Sequence, residues 1–395
     1  MQLGWLKTTA EQSGESVYAF YHPTFQEYFA AQVVGNWEEM FEANYLWEII
    51  QPQWREVVGF WLGRSDIASP AKEELLKQLV NFDDRAGGFY RYRAHFLAAT
   101  GLAEFPESKR AKAIAARVVR WRFGWCDGGT WRETASGVRS ATQAVMGLSD
   151  RSIMAVALER YLTELRGQSM GRKATFFALW NAAYSLGKQY MPGNPGAIAV
   201  LHELLAAVES PYLRLQLSNN LVKVNPGDVL AIGILRELMD HADLKIQRRS
   251  AHCLAMMDSG DGAAISKLQE LATSGDDGVK KMAIASLDQL AGKTPVARQH
   301  RGREKSAREV AREIGSLEKR LQTAQNPAVQ VAAAAKLGQL VPGHRGAIEV
   351  LINLLEQDGL EGSFYRRVGD CLGLLLTGER YGLVVGRLYG LRGGG

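Results

Sequence analysis

Pro192-Gly193-Asn194-Pro195-Gly196-Ala197-Ile198 decides the fold, because the stretch returns three times. It comes back as Pro226-Gly227-Asp228-Val229-Leu230-Ala231-Ile232, as Ser259-Gly260-Asp261-Gly262-Ala263-Ala264-Ile265, and as Pro342-Gly343-His344-Arg345-Gly346-Ala347-Ile348. The anchors Ile198, Ile232 and Ile265 are spaced 34 and 33, and Ile314 and Ile348 are again 34 apart. A second series, Leu221, Leu254, Leu287, Leu337 and Leu372, is spaced 33, 33, 50 and 35. The long interval in each series holds one period plus about 16 residues, which places a single insertion near 292–307. Self-similarity at such a period marks a repeat architecture.

Each unit reads as two helices. Ile198, Leu201, Leu204 and Leu205 fall on one apolar stripe, and Leu217, Leu221 and Val224 form the stripe of the partner helix. Gly suits the left-handed residue after a helix, and Asn or Asp suits the next N-cap. One helix pair cannot bury its own stripe, so neighbours must stack. Neither a Trp-Leu-Gly-Tyr nor a Thr-Pro-Leu-His pattern occurs. The Val/Ile-x-x-x-Ala-x-x-x-Leu rhythm of Ile246–Leu254 and Val329–Leu337 resembles short bacterial HEAT-like repeats. The expected fold is therefore all-α, a HEAT/armadillo-like α-solenoid. Residues 191–395 carry its regular repeats and the insertion. Residues 65–190 read as degenerate helices of the same array, near 70–82, 88–104, 108–122, 150–165 and 173–188.

Composition agrees with a packed protein. Of 395 residues, 46% are hydrophobic and 23% charged. No apolar run reaches the roughly 18 residues of a membrane span, so no membrane partner is expected. Met1-Gln2-Leu3-Gly4-Trp5 does not open a signal peptide. Cys126, Cys253 and Cys371 are far apart, which argues against a disulfide framework or a zinc site and fits a cytoplasmic location. Cys253 and Cys371 each precede a helical Leu and read as buried thiols. The net charge of +5 is matched by residues 293–320, where nine Lys or Arg face four Glu, leaving 38 basic and 38 acidic residues elsewhere.

The N-terminal segment carries the most specific signal. Tyr18-Ala19-Phe20-Tyr21 is aromatic and β-prone, and a helix follows at once. Thr24 and Glu27 have capping-box spacing just after Pro23, and Phe25, Phe29 and Val33 share one helix face. His22-Pro23-Thr24-Phe25-Gln26-Glu27-Tyr28-Phe29-Ala30-Ala31 resembles the end of the winged helix in NACHT modules of STAND-type NTPases. Leu3-Gly4-Trp5-Leu6 resembles the strand that pairs with it, and Trp54-Arg55-Glu56-Val57-Val58 the helical region that follows. The resemblance covers roughly residues 3–62. It implies a small winged-helix remnant, a short β-hairpin plus helix, within a first domain of residues 1–64. It also implies that His22 reaches the phosphates of bound nucleotide once the NTPase part is present. A His at a strand end beside a helix N-terminus can donate to an anion.

The rest of that family's nucleotide site does not appear. No GxxxxGK[ST] occurs. Gly167-Gln168-Ser169-Met170-Gly171-Arg172-Lys173 is followed by Ala174, which leaves no hydroxyl for magnesium. No Walker B strand is evident. This chain is thus expected not to be an enzyme and to hold no cofactor itself. ATP or ADP with Mg is implied only for a full-length relative. By the resemblance, the chain is the sensor and protein-interaction region of a NACHT-type STAND NTPase in bacterial signalling or antiphage defence. Two alternatives stand beside this reading: a bilin lyase-type HEAT protein, and a free-standing HEAT scaffold contacting nucleic acid or acidic partners.

Three other stretches invite a functional reading. Arg117 to Trp125 interleaves Arg with Trp121, Phe123 and Trp125, which suits nucleic-acid contact but more readily an amphipathic helix end. Trp54 and Trp61 are seven apart and read as a helix core stripe. In the insertion, Arg298, Arg301, Arg303 and Lys305 are the candidate contact for nucleic acid or an acidic partner, weighed against a solvated loop. His95, His202, His241, His252, His300 and His344 show no metal-ligand spacing and are assigned neither metal nor catalysis.

Overall fold

The computed structural model describes residues 6–12, 15–20, 22–41, 49, 54–83, 91–134, 136–167, 173–292, 307–341 and 343–355, with single positions between 364 and 375. Helix dominates these residues, and the chain divides into two compact units. One unit comprises residues 1–157 with 308–395, the other residues 158–307.

The first unit opens with a hairpin. β1 Leu6–Gln12 pairs antiparallel with β2 Glu15–Phe20, in a register that sets Leu6 opposite Phe20 and Thr8 opposite Tyr18. The register shifts between Thr8 and Ala10. Helix α1 Pro23–Val33 follows, then a 3₁₀ turn at Glu38–Phe41 and α2 Trp54–Gly63. Next come α3 Ser69–Val80, α4 Arg91–Gly101 and α5 Ala111–Phe123. A second small hairpin, β3 Trp125–Asp127 with β4 Thr130–Arg132, leads to α6 Ser136–Leu148. Helix α4 is the centre of this part, packing on α2, α3, α5 and α6. Trp61, Leu62, Leu75, Leu76 and Ile114 are nearly or fully buried.

Helix α7 Arg151–Arg166 carries the chain into the second unit, which holds α8 Lys173–Ser185 and a π-helical turn at Leu186–Tyr190. Three helix pairs follow at the predicted period. They are α9 Pro195–Ala206 with α10 Pro211–Val224, α11 Val229–Leu238 with α12 Leu244–Met257, and α13 Gly262–Leu271 with α14 Asp277–Leu290. Each helix from α8 to α14 packs on the next. In addition α8 touches α10, α10 touches α12, and α12 touches α14, so the second helices make one continuous row. The apolar stripes read from the sequence form the core. Leu201, Leu204, Leu205, Leu217, Leu221 and Val224 are all at most 3% exposed. Ile198 is only half-buried, and Val200 takes the interior position instead.

The chain then returns to the first unit as α15 Ala307–Thr323, α16 Pro327–Leu340 and α17 Arg345–Leu355. Helix α16 packs on α17 and also on α6. The repeat anchors Leu337, Ile348 and Leu372 are buried, as is Cys371.

The repeated motif acts as a cap with two arms. Asn194 accepts from the Ala197 N–H at 2.9 Å, Asp228 from Ala231 at 3.0 Å, Asp261 from Ala264 at 3.0 Å and His344 Nδ1 from Ala347 at 3.2 Å. Each satisfies a helix-start donor that has no intrahelical partner. The other arm of each cap reaches back. Asn194 donates to Glu159 of α7 at 2.6 Å, and Asp228 meets His202 of α9 at 2.9 Å. Asp261 pairs with Arg236 of α11 at 3.6 Å, and His344 meets Glu318 of α15 at 3.1 Å. Gly193, Gly227 and Gly343 have φ between 74° and 92°, the left-handed conformation expected at these turns. Gly260, the equivalent residue of the third copy, is not left-handed, and its N–H donates to Asp258 at 2.8 Å.

One local expectation is corrected. Helix α1 starts at Pro23 with His22 as its N-cap, not at a Thr24–Glu27 capping box. Proline has no N–H to lose and a φ preset for the first helical position, so the helix begins two residues earlier. Along the face shared by Phe25, Phe29 and Val33, Phe29 is 39% and Val33 82% exposed, and Ala31 is the buried residue of the helix. Helix α6 and the β3–β4 hairpin were not anticipated. The Gly137 and Gly147 of α6 weaken its propensity, and the three-residue strands are too short for a period-two pattern.

Candidate functional site

His22 stands between β2 and α1, and its geometry follows from that place. The hairpin delivers the chain in an extended conformation, with His22 at φ −134° and ψ 137°. Pro23 then starts the helix. His22 Nδ1 accepts from the Thr24 N–H at 3.2 Å, and the His22 carbonyl accepts from Phe25 N–H at 3.1 Å. Pro23 has no N–H. The first backbone donors of α1 are therefore occupied, and an anion at this helix end would have to be met by the imidazole. With Nδ1 accepting, the neutral ring carries its proton on Nε2 and can donate from there. His22 is exposed.

The surrounding elements hold this corner in place. Phe29 of α1 stacks on Phe20 of β2 with centroids 5.7 Å apart, and Tyr28 meets Phe60 of α2 edge-on at 5.7 Å. The far end of α1 is closed by α2. Trp61 is fully buried and donates from its indole to the Val34 carbonyl at 3.2 Å. Arg64, just past α2, donates to the Ala31 and Val34 carbonyls at 2.8 Å and to Gln32 at 3.3 Å. Asp66 pairs with Arg64 at 2.6 Å. The hydrogen bond that Arg64 donates to Asp66, opposed by burial, raises the Arg64 pKa above its ordinary value. The Trp54–Trp61 reading as a core stripe holds for Trp61, Val57 and Val58, while Trp54 is half-buried.

The other flagged residues separate. Trp121 is half-buried against α4, with its ring centroid 4.5 Å from Tyr92, 4.8 Å from His95 and 5.8 Å from Phe96. It is an inter-helix packing residue, and Trp125 opens β3. The basic insertion with Arg298, Arg301, Arg303 and Lys305 lies outside the described residues, as do Gln168–Arg172 and His300. His95 is 1% exposed, with Nε2 3.2 Å from the Ile114 carbonyl. Burial depresses its pKa to about 4. His202 and His344 serve the caps, and His241 Nδ1 accepts from the Asp243 N–H at 3.0 Å. All three cysteines are free, and Cys253 Sγ lies 3.3 Å from Asn219 Oδ1. Among the described residues no three His, Cys, Asp or Glu side chains gather as a metal site would need, and no helix is long and apolar enough to cross a membrane.

A whole-segment charge balance concealed one feature of the second unit. Helices α10 and α12 together contain Arg214, Lys223, Lys245, Arg248 and Arg249 and no Asp or Glu. A helix-by-helix tally, made after the repeat had been phased, would have found it.

No protein-family model matches this chain, and no curated protein matches it either.

Proposed function

We propose that this chain is the sensor and interaction region of a NACHT-type STAND NTPase, a HEAT-like solenoid preceded by the last elements of a winged helix. The observation that carries the reading is the His22–Ala31 motif set at the junction of a hairpin and a helix, with a helix-pair array following it in the same chain. Two features support it. Helix α1 leaves Tyr28, Phe29 and Val33 41%, 39% and 82% exposed, a surface suited to cover by a further part of such an NTPase. His22 spends Nδ1 on the cap and keeps Nε2 for an anion.

In this reading the array binds a trigger and biases the NTPase between a closed and an open state. The trigger must bind the open state better, since equal affinity for both would shift nothing. His22 contributes to ADP retention in the closed state. The test is ADP retained by the protein that includes the NTPase part. His22→Asp keeps a cap acceptor and carries no donor, so it should lose ADP with its helicity intact, and His22→Ala should lose it too. Unchanged retention in both variants contradicts the reading.

A further inference from the structure

The row of second helices in the second unit presents a face whose positions recur every 33 residues. On α10 it carries Tyr212, Gln216, Asn219 and Lys223; on α12 the equivalents are Lys245, Arg249, His252 and Met256. Met282 and Gln289 continue it on α14. Direct contacts tie the three helices together here. The Arg249 guanidinium lies 5.1 Å over the Tyr212 ring, Arg248 Nη1 is 3.5 Å from Ser286 Oγ, and Gln289 Nε2 is 3.3 Å from Met256 Sδ.

Charge is distributed unevenly between the two helices of each pair. Cations of the first helices are matched: Arg236 pairs with Asp261, and Lys267 with Glu270 and Asp240. On the second helices Arg214 reaches Glu237. Lys223, Arg248 and Arg249 have no carboxylate partner among the described residues. They act instead on one another's surroundings. Burial, then Arg248 and Lys223, holds the His252 imidazole below its ordinary pKa. The positive field is set among apolar groups open to water, with Tyr212 49%, Met256 45% and Met282 52% exposed.

We infer that this face of α10, α12 and α14 docks an acidic segment of a partner protein, one whose carboxylates alternate with aliphatic side chains. Unmatched cations attract carboxylates and steer their approach. Flexible methionines at the same surface accommodate aliphatic groups of varied shape. A nucleic-acid strand fits less well, because Arg249 already covers the Tyr212 ring and leaves no stacking platform. The inference rests on the array being an interaction surface, and it is independent of His22 and of any nucleotide.

The test is fluorescence anisotropy with the full chain and a fluorescein-labelled peptide of alternating Glu and Leu, against a matched Lys–Leu peptide and a 20-nucleotide single strand. The Glu–Leu peptide should bind, and binding should weaken as salt rises. Replacing Lys223, Lys245 and Arg249 by Gln should weaken it about tenfold, while Arg160, Arg236 and Lys267 replaced by Gln should change it by less than about twofold. Both triple variants should keep the helical circular dichroism of the parent, since each replaces side chains that reach solvent. No binding of the Glu–Leu peptide, equal loss in the two triple variants, or tighter binding of the Lys–Leu peptide or the nucleotide strand overturns the inference. None of these outcomes alters ADP retention, so failure here and failure of the NACHT reading are separable.

Discussion

Asp228 grips two repeats with one carboxylate: Oδ1 accepts from the Ala231 N–H at 3.0 Å, and Oδ2 sits 2.9 Å from His202 Nε2. Asn225 adds a third bond to Oδ2 at 3.0 Å. Burial would raise the pKa of this carboxyl, but the Ala231 N–H, Asn225 and His202 outweigh it and hold the group below its ordinary range. Asp228→Ala removes the cap of α11 and its tie to α9, a loss of about 1–2 kcal/mol. Hydrogen exchange should show it at the Ala231 amide, with protection falling about tenfold or more. Asp228→Asn keeps an acceptor for the cap and should lose less. Because the folded pKa is lowered, this contribution is present above the unfolded carboxylate pKa and fades as pH falls through it.

His95 sets a second pH response, at milder acidity. Its folded pKa is depressed to about 4 by burial. Above the ordinary imidazole pKa both folded and unfolded chains are neutral there and nothing is lost. Below it the unfolded chain takes up a proton that the buried ring refuses, which costs on the order of 3 kcal/mol by pH 4. His252 is lowered in the same direction. The melting temperature should therefore drop between pH 7 and pH 5, and His95→Gln should flatten part of that drop. An unchanged pH profile in the variant would show that His95 does not titrate with unfolding.

Gly187 is a close-approach glycine. A Cβ there would stand 2.5 Å from Val224 Cγ1 and 3.2 Å from the Ala197 Cβ. Gly187→Ala must push α9 and α10 away from the π-helical turn, at a cost of about 1–3 kcal/mol. A lowered denaturant midpoint with unchanged helical content is the expected result. Gly233, with open space at its Cβ position, is the matched control.

Arg64 closes the C-terminal end of α1 by donating to three of its exit carbonyls. Its side chain is only 12% exposed. Arg64→Ala leaves those carbonyls without their donor, a loss of about 1–3 kcal/mol. It should raise amide exchange in α1 before that in α4. Arg64→Lys cannot reproduce the planar fork and should recover only part of the loss.

Legibility in the sequence followed the strength of the repetition. The Pro-Gly-Asn/Asp turn recurs with its leucine anchors, so the helix pairs α9 to α14 and their caps at Asn194, Asp228 and Asp261 could be placed residue by residue. His344 as the fourth cap was harder, since histidine is not a favoured cap and only the phase of the repeat pointed to it. The backward arms of the caps were not visible, because Glu159, His202, Arg236 and Glu318 are joined to them only by tertiary packing. Helix α6 has an apolar stripe at Val138, Thr142, Val145 and Met146, but its interior Thr142 and its two glycines, Gly137 and Gly147, weaken the signal. At the candidate site, the motif located His22 and its helix, but not that proline would make His22 itself the cap. The cationic face of α10 and α12 was missed for a physical reason: acidic residues in the connecting turns, among them Glu209, Asp228, Asp240, Asp243, Asp258 and Asp261, cancel it in any sum along the chain.

The most direct test of the central claim lies in the coding DNA upstream of Met1. A frame encoding GxxxxGK[ST], joined to this one or separated from it by a single frameshift, is the predicted result and would make His22 part of a nucleotide site. An unrelated gene ending immediately before Met1 would contradict the claim and favour a scaffold that works without an NTPase.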